Sequence, residues 1–334
     1  MDSGKFGEYG LDVCVVTMEE YGVRILLAVH SPSIRTAENV APIRIKDLSF
    51  QQRSLKINKI EYKLGVLRTC ATGELWELYK EDNRSGGIGY DLNQYGLPDW
   101  SIETTLLPGD IQIEPRSEGR DVDRAHLIFM YENGLRHNLE ALGTEMDEHQ
   151  KKNVIKNINF LQESILPYRL AEDNALSPYK MFIQLTVHDT VTARKIERVD
   201  PSSKKLPEAL KYLMTKIFGG RQGEIYVKRI HSLKKELILR VPENLKLIVT
   251  ELSLEFNVTS NLNALEPILT LPIPCIELSQ EVNLHDFQHP TVRNAKVLKI
   301  VGAVRESTMV QVLGGLEASE KEIHWHNGSG SANS

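Results

Sequence analysis

The chain has 334 residues, of which 41% are apolar and 25% charged, and a formal net charge of −5. Those fractions describe a folded globular protein with a sizeable core and exclude disordered and fibrous chains. No apolar run reaches membrane-spanning length, and the opening residues, Met1-Asp-Ser-Gly-Lys-Phe-Gly-Glu, lack the apolar core of a signal peptide, so the expected location is intracellular.

The first elements in chain order are strands. Residues 11–17 and 23–29 are β-branched runs flanking Glu19-Glu-Tyr-Gly22, the pattern of a hairpin. Residues 42–50 read as another strand. Residues 55–64 and 75–80 alternate with period two around a turn at Ala71-Thr72-Gly73, which predicts a pair of sheet strands with unequal faces. Residues 86–121 are rich in Gly, Pro and Asp, with a short strand at 111–114, and residues 125–131 read as a buried strand closed by a turn at Glu132-Asn-Gly134.

The first predicted helix runs over residues 144–166. Thr144 and Asp147 form an acidic capping pattern, an apolar stripe runs from Val154 to Leu166, and Pro167 marks the end. Residues 171–178 read as a linker between two domains. Beyond it come a strand at 181–187, an amphipathic helix over Leu206–Phe218 stopped by Gly219-Gly220, and strands at 224–230, 236–241, 245–258 and 268–278. Residues 296–304 and 309–313 form a final hairpin. The expected class is mainly β (α+β), with two β-sandwich or jelly-roll-like domains at 1–170 and 179–315, a few attached helices, and a disordered polar tail at 316–334.

Chemistry-bearing motifs are scarce. Gly-x-Ser-x-Gly, a Walker-type loop, His-Glu-x-x-His and Cys-x-x-Cys are all missing from the sequence. Cys14, Cys70 and Cys275 are scattered and read as small buried thiols in a reducing compartment. Gly86-Gly-Ile-Gly89 lacks the Lys-Ser/Thr that a phosphate loop needs. His285 with His289, and His324 with His326, are too few to enclose a metal ion without further ligands, and His188-Asp189 has no matched nucleophile. No metal, no cofactor and no enzymatic activity are expected.

Charge is the more informative feature. Residues 194–246 hold fourteen Lys or Arg against six Asp or Glu, near +8, which leaves the rest of the chain near −13. Lys204, Lys205, Lys211, Lys216, Arg221, Lys228, Arg229, Lys234, Lys235 and Arg240 fall there, interleaved with Tyr212, Phe218 and Tyr226. Such a segment fits single-stranded nucleic acid, with phosphates on the cations and bases stacked on the rings; anionic lipid would use the same charges, and an ordinary solvated face is the plain alternative.

Residues 42–45, 55–62, 72–78 and 81–83 together resemble the core of plant-virus cell-to-cell movement proteins of the thirty-kilodalton superfamily, with Gly73 in the joining turn and Asp82 as the acidic residue that ends the second strand. The resemblance covers about residues 42 to 84. It implies a jelly-roll-like domain, cooperative binding of single-stranded nucleic acid or nucleocapsid, a homo-oligomer, and action in the host cytoplasm or at plasmodesmata. The β-rich second half suggests the rivals, a viral matrix-like protein assembling on an anionic membrane surface or an uncharacterised enzyme.

Overall fold

The computed structural model describes residues 39–70, 74–114, 124–189, 193–195, 204–231, 233, 235–279, 284–301 and 322–326. The expected hairpin at 11–29, the turn at 71–73 with Gly73, Lys234, and the strand at 309–313 lie outside them. The class is α+β, and the main sheet is mixed.

The sheet begins with β1 (Ile43–Phe50), β2 (Ser54–Ile57) and β3 (Ile60–Cys70), an antiparallel set. The predicted single strand at 55–64 is therefore a hairpin. Asn58 makes its turn in the left-handed conformation (φ 57°), which asparagine tolerates better than most residues, and its Oδ1 accepts the N–H groups of Lys46 and Asp47 at 2.9 and 3.1 Å.

The expected strand at 75–80 is instead the entry to helix α1 (Glu77–Arg84). Period-two alternation over so few residues also satisfies a helix with one buried ring, and Tyr79 is that ring. Asn83 on α1 replaces the strand partner that β3 lacks beyond β2. Its amide donates to the Arg68 carbonyl at 2.6 Å and accepts the Arg68 N–H at 3.0 Å. Ile88 then bridges Val66. Gly86 and Gly87 come so close to β3 that a Cβ on Gly65 would lie 2.1 Å from the Gly86 carbonyl oxygen, so these glycines serve close approach of two backbones.

Short helix α2 (Trp100–Glu103) and strand β4 (Ile111–Ile113) follow. Residues 124–142 correct another expectation: the predicted strand and its turn at Glu132-Asn-Gly134 lie within one helix, α3 (Arg124–Leu142). Four successive apolar residues, Leu127 to Met130, look alike in a buried strand and on a helix. Pairing with α4 (Glu148–Glu172) decides for helix, and Gly134 lets Leu161 of α4 in. Asp147 caps α4 in a reciprocal box with Gln150, and the helix continues through Pro167 rather than ending there.

Residues 171–178 do connect α4 to β5 (Tyr179–Asp189), yet β5 pairs with the full length of β3 and is followed by β6 (Ala193–Lys195). The sheet thus runs through both sides of the expected linker, in place of two sandwiches. Helix α5 (Leu206–Phe218) matches its prediction and leads to β7 (Ile225–Ile230), which lies parallel to β1.

From β7 the chain repeats one move. β8 (Leu237–Leu239) pairs with β4, then β9 (Leu247–Leu254) joins β7; α6 (Val258–Leu265) and β10 (Leu269–Thr270) precede β11 (Cys275–Ser279); α7 (Leu284–Gln288) and α8 (Pro290–Asn294) precede β12 (Val297–Val301), and β13 (Glu322–His326) closes the series. Each new strand is parallel to the last and adjacent to it. Arg229, Glu251, Cys275, Val297 and Glu322 are in register across the five strands, at steps of 22, 24, 22 and 25 residues. This is the spacing of a solenoid-like stack. The tail expected from residue 316 contains the backbone strand β13.

One contiguous core lies beneath the sheet, where Leu48, Leu55, Ile230, Leu252 and Leu278 meet Met214 of α5, Leu262 of α6 and Phe287 of α7. A strap holds it at the side. The Asp110 side chain is fully buried and receives Arg240 at 2.6 Å and Lys211 at 2.8 Å, joining the loop before β4 to α5 and to the residue after β8. Two substitutions check this account by urea denaturation. Gly65→Ala is expected to cost about 1–3 kcal/mol through forced overpacking, and Asp110→Ala about 3–5 kcal/mol by removing the carboxylate that balances the buried Arg240; unchanged midpoints would refute the close approach and the strap respectively.

Candidate docking surface

Side chains of a strand alternate between faces, and here one face is covered while the other is not. On β11 Ile276 and Leu278 are buried while Cys275, Glu277 and Ser279 are partly exposed; on β12 Leu298 and Ile300 are buried while Val297, Lys299 and Val301 are partly exposed. The second set makes a mixed surface on which, among the described residues, no helix packs.

Its centre is Glu251 on β9, a carboxylate whose side chain is 9% exposed. Arg229 on β7 donates from Nη2 to both of its oxygens at 2.9 and 3.0 Å, and Lys299 on β12 donates to Oε1 at 2.6 Å. Around this group Ser253 donates to Glu277 at 3.0 Å, His231 lies 3.3 Å from Asp47, and Lys56 stands opposite Glu61 across β2 and β3. Both signs of charge alternate across the surface. Burial works to raise the Glu251 pKa, but the hydrogen bonds from Lys299 and Arg229 outweigh it and hold the carboxyl below its usual range. Burial pushes the Cys275 thiol up, which keeps it protonated and a poor nucleophile at neutral pH.

The cations predicted as one binding segment are divided between two sides of the molecule. On the α5 side, Lys204 and Lys216 lie 4.4 and 5.0 Å from the Tyr212 ring centroid. Lys205 precedes α5 and donates to the Leu92 carbonyl at 3.2 Å; Lys211 is held by Asp110; Arg221 donates to the Ile217 carbonyl at 2.9 Å. On β7, Lys228 is exposed and Arg229 belongs to the Glu251 group, while the Tyr226 hydroxyl donates to Glu224 and its ring lies under Arg44 at 4.9 Å. Lys235 lies over Phe256 at 4.8 Å. Asp82 sits on a helix rather than at a strand end, paired with Arg68 at 3.2 Å, and fastens α1 to β3. Glu251, Glu277 and Lys299 were missed because only the parallel register brings positions so far apart in sequence onto one surface.

His289 has structural partners. His289 accepts the Thr291 N–H on Nδ1 at 3.2 Å and faces Asn263 Oδ1 through Nε2 at 3.1 Å, so it caps α8 as the neutral ring. Among the described residues no three of His, Cys, Asp and Glu converge as metal ligands, and no helix is long and apolar enough to cross a membrane. A shallow cleft lined by Arg53, Gly89, Thr104, Gln112, Glu236 and Arg240 has its buried arginine committed to Asp110 and to the Thr105 carbonyl.

Residues 205–326 match the family model of a domain of unknown function (DUF3557). That stretch spans α5 through β13, the helix and strand series that makes the parallel stack. No curated protein matches the chain, and no solved structure does.

Glu251 supplies a pH test. Its pKa in the folded protein lies below the unfolded value of about 4.3, so its contribution to stability is complete above that value and is lost as pH falls through the folded pKa. Wild type should lose more stability than Glu251→Gln on acidification from about pH 5 to 3. At pH 7 Glu251→Ala should cost about 1–3 kcal/mol, because both cations still reach water. Identical acid dependence of wild type and Glu251→Gln in denaturant melts would refute the held carboxylate.

Proposed function

We propose that the protein is a non-enzymatic interaction protein that docks a macromolecular partner on the face of β7, β9, β11 and β12 opposite the core. The observation that carries this reading is the one-sided stack. Five parallel strands follow one another, the described connections between the first four are packed into the core, and the opposite face displays paired charges. Extended surfaces of this kind are how stacked-repeat proteins hold partners. The near balance of charge there suits a protein partner better than a polyanion, which would meet Asp47, Glu251 and Glu277 together.

A second reading rests on a different side. Tyr212 with Lys204 and Lys216 is a ring flanked by cations on the outer surface of α5, the combination that stacks and neutralises single-stranded nucleic acid, and the resemblance to movement proteins at residues 42 to 84 points the same way. A matrix-like role on anionic membrane would use the same lysines.

Both Thr250 on β9 and Thr215 on α5 are exposed, and a photo-crosslinking residue at each reports on one side. The expected result in the protein's own cells is a discrete protein adduct from Thr250. RNA adducts from Thr215, with no adduct from Thr250, would overturn the docking reading in favour of nucleic acid, and salt-titrated filter binding would then show a steep fall in affinity.

A further inference from the structure

The Arg229–Glu251–Lys299 group has a feature that pairing for stability alone does not require. Both cations bond the same oxygen, Glu251 Oε1, at 2.9 and 2.6 Å, so their nitrogens are held within about 5.5 Å of each other. Within this contacting group one carboxylate serves two cations. Asp47 and Glu277 act on Arg229 by charge without contacting it, and Glu277 accepts the Ser253 hydroxyl at 3.0 Å. Among the described residues, Nε and Nη1 of Arg229 and two of the three N–H groups of Lys299 have no hydrogen-bond partner. The side chains of Arg229 and Lys299 are 39% and 28% exposed, so the unused donors reach the surface while the carboxylate beneath stays covered.

Resting on the docking reading above, we infer that this group is a receptor for a carboxylate, and that its occupant is a single aspartate or glutamate side chain of a protein partner. Arg229 offers charge-assisted N–H donors of its planar guanidinium, and Lys299 offers a point charge beside it. The incoming acid takes up the unused donors, and the buried Glu251 keeps the two cations together before it arrives. Selectivity for an isolated acid comes from the surroundings. Asp47 and Glu277 act on Arg229 from either side, so a chain of phosphates or a run of acids would bring neighbouring anions against them. A partner that places a basic or neutral residue on each side of its acid fits the alternation.

The test reads Arg229 directly. The Arg229 Nε–H signal, assigned by its loss in Arg229→Lys, is followed by nitrogen-15 NMR during titration with three probes. These are a twelve-residue peptide carrying one central glutamate between lysines, the same peptide with glutamine, and a twelve-nucleotide single-stranded RNA. The expected result is a saturable shift with the glutamate peptide, at least tenfold weaker binding of the glutamine peptide, and at least fivefold weaker binding of the glutamate peptide by Lys299→Ala. Unchanged backbone signals away from β12 keep Lys299→Ala interpretable as a folded variant. No saturable shift, equal binding of the two peptides, or tighter binding of the RNA through the same signal would each overturn the carboxylate receptor. Protein adducts from Thr250 that persist in Arg229→Ala would overturn it as well while leaving the broader docking reading standing.

Discussion

The handedness of the crossover connection governs this structure. A strand, a connection and a parallel strand pack back on a sheet almost only in the right-handed sense. From β7 to β13 each strand is added beside the previous one, always in the same direction. Repeated right-handed crossovers taken in one direction fall on one face, and the described connections from β7 to β12 do so. The apolar residues of β8, α6, α7 and α8 accordingly join a single core with α5, and the other face is left to whatever the alternating side chains present. An open surface is therefore a geometric consequence of the order of the strands.

Two carboxylates, each shared by two cations, show how one motif takes two roles. Asp110 is held by Arg240 and Lys211, with side chains that are 0%, 4% and 15% exposed, so the carboxylate and the guanidinium are buried and the ammonium is nearly so. Ions so buried gain little over an apolar replacement but fix which elements meet, here the loop before β4 with α5 and β8. Glu251 is held by Arg229 and Lys299 in the same stoichiometry, but its cations reach water. Such pairs contribute modestly to stability because solvent screens them. What differs is the number of donors left over, and that number separates a strap from a receptor.

The antiparallel half relies on substitutes for regular pairing. Beyond the end of β2, the edge of β3 is completed by the Asn83 side chain and by Ile88, and the two backbones approach closely enough to demand glycine at 65. Arg68 gathers this corner, with its guanidinium 3.9 Å from the centroid of Tyr79 and ion-paired to Asp82.

The sequence by itself determined what depends on neighbours along the chain. Helix α5, with Lys205 and Glu208 at its start and Gly219 at its end, and strands β5, β7 and β12 follow from local periodicity and punctuation. Where two periodicities fit the same letters, as at Leu127 to Met130 and Leu75 to Lys80, only packing chose the helix, because an apolar run does not reveal which partner will cover it. The basic segment at 194–246 was visible as composition, but its division between α5 and the sheet was not, since charge counts carry no direction. Arg229, Glu251 and Lys299 are 22 and 48 residues apart. Their meeting on one oxygen is set by parallel register, a long-range choice that no local window contains.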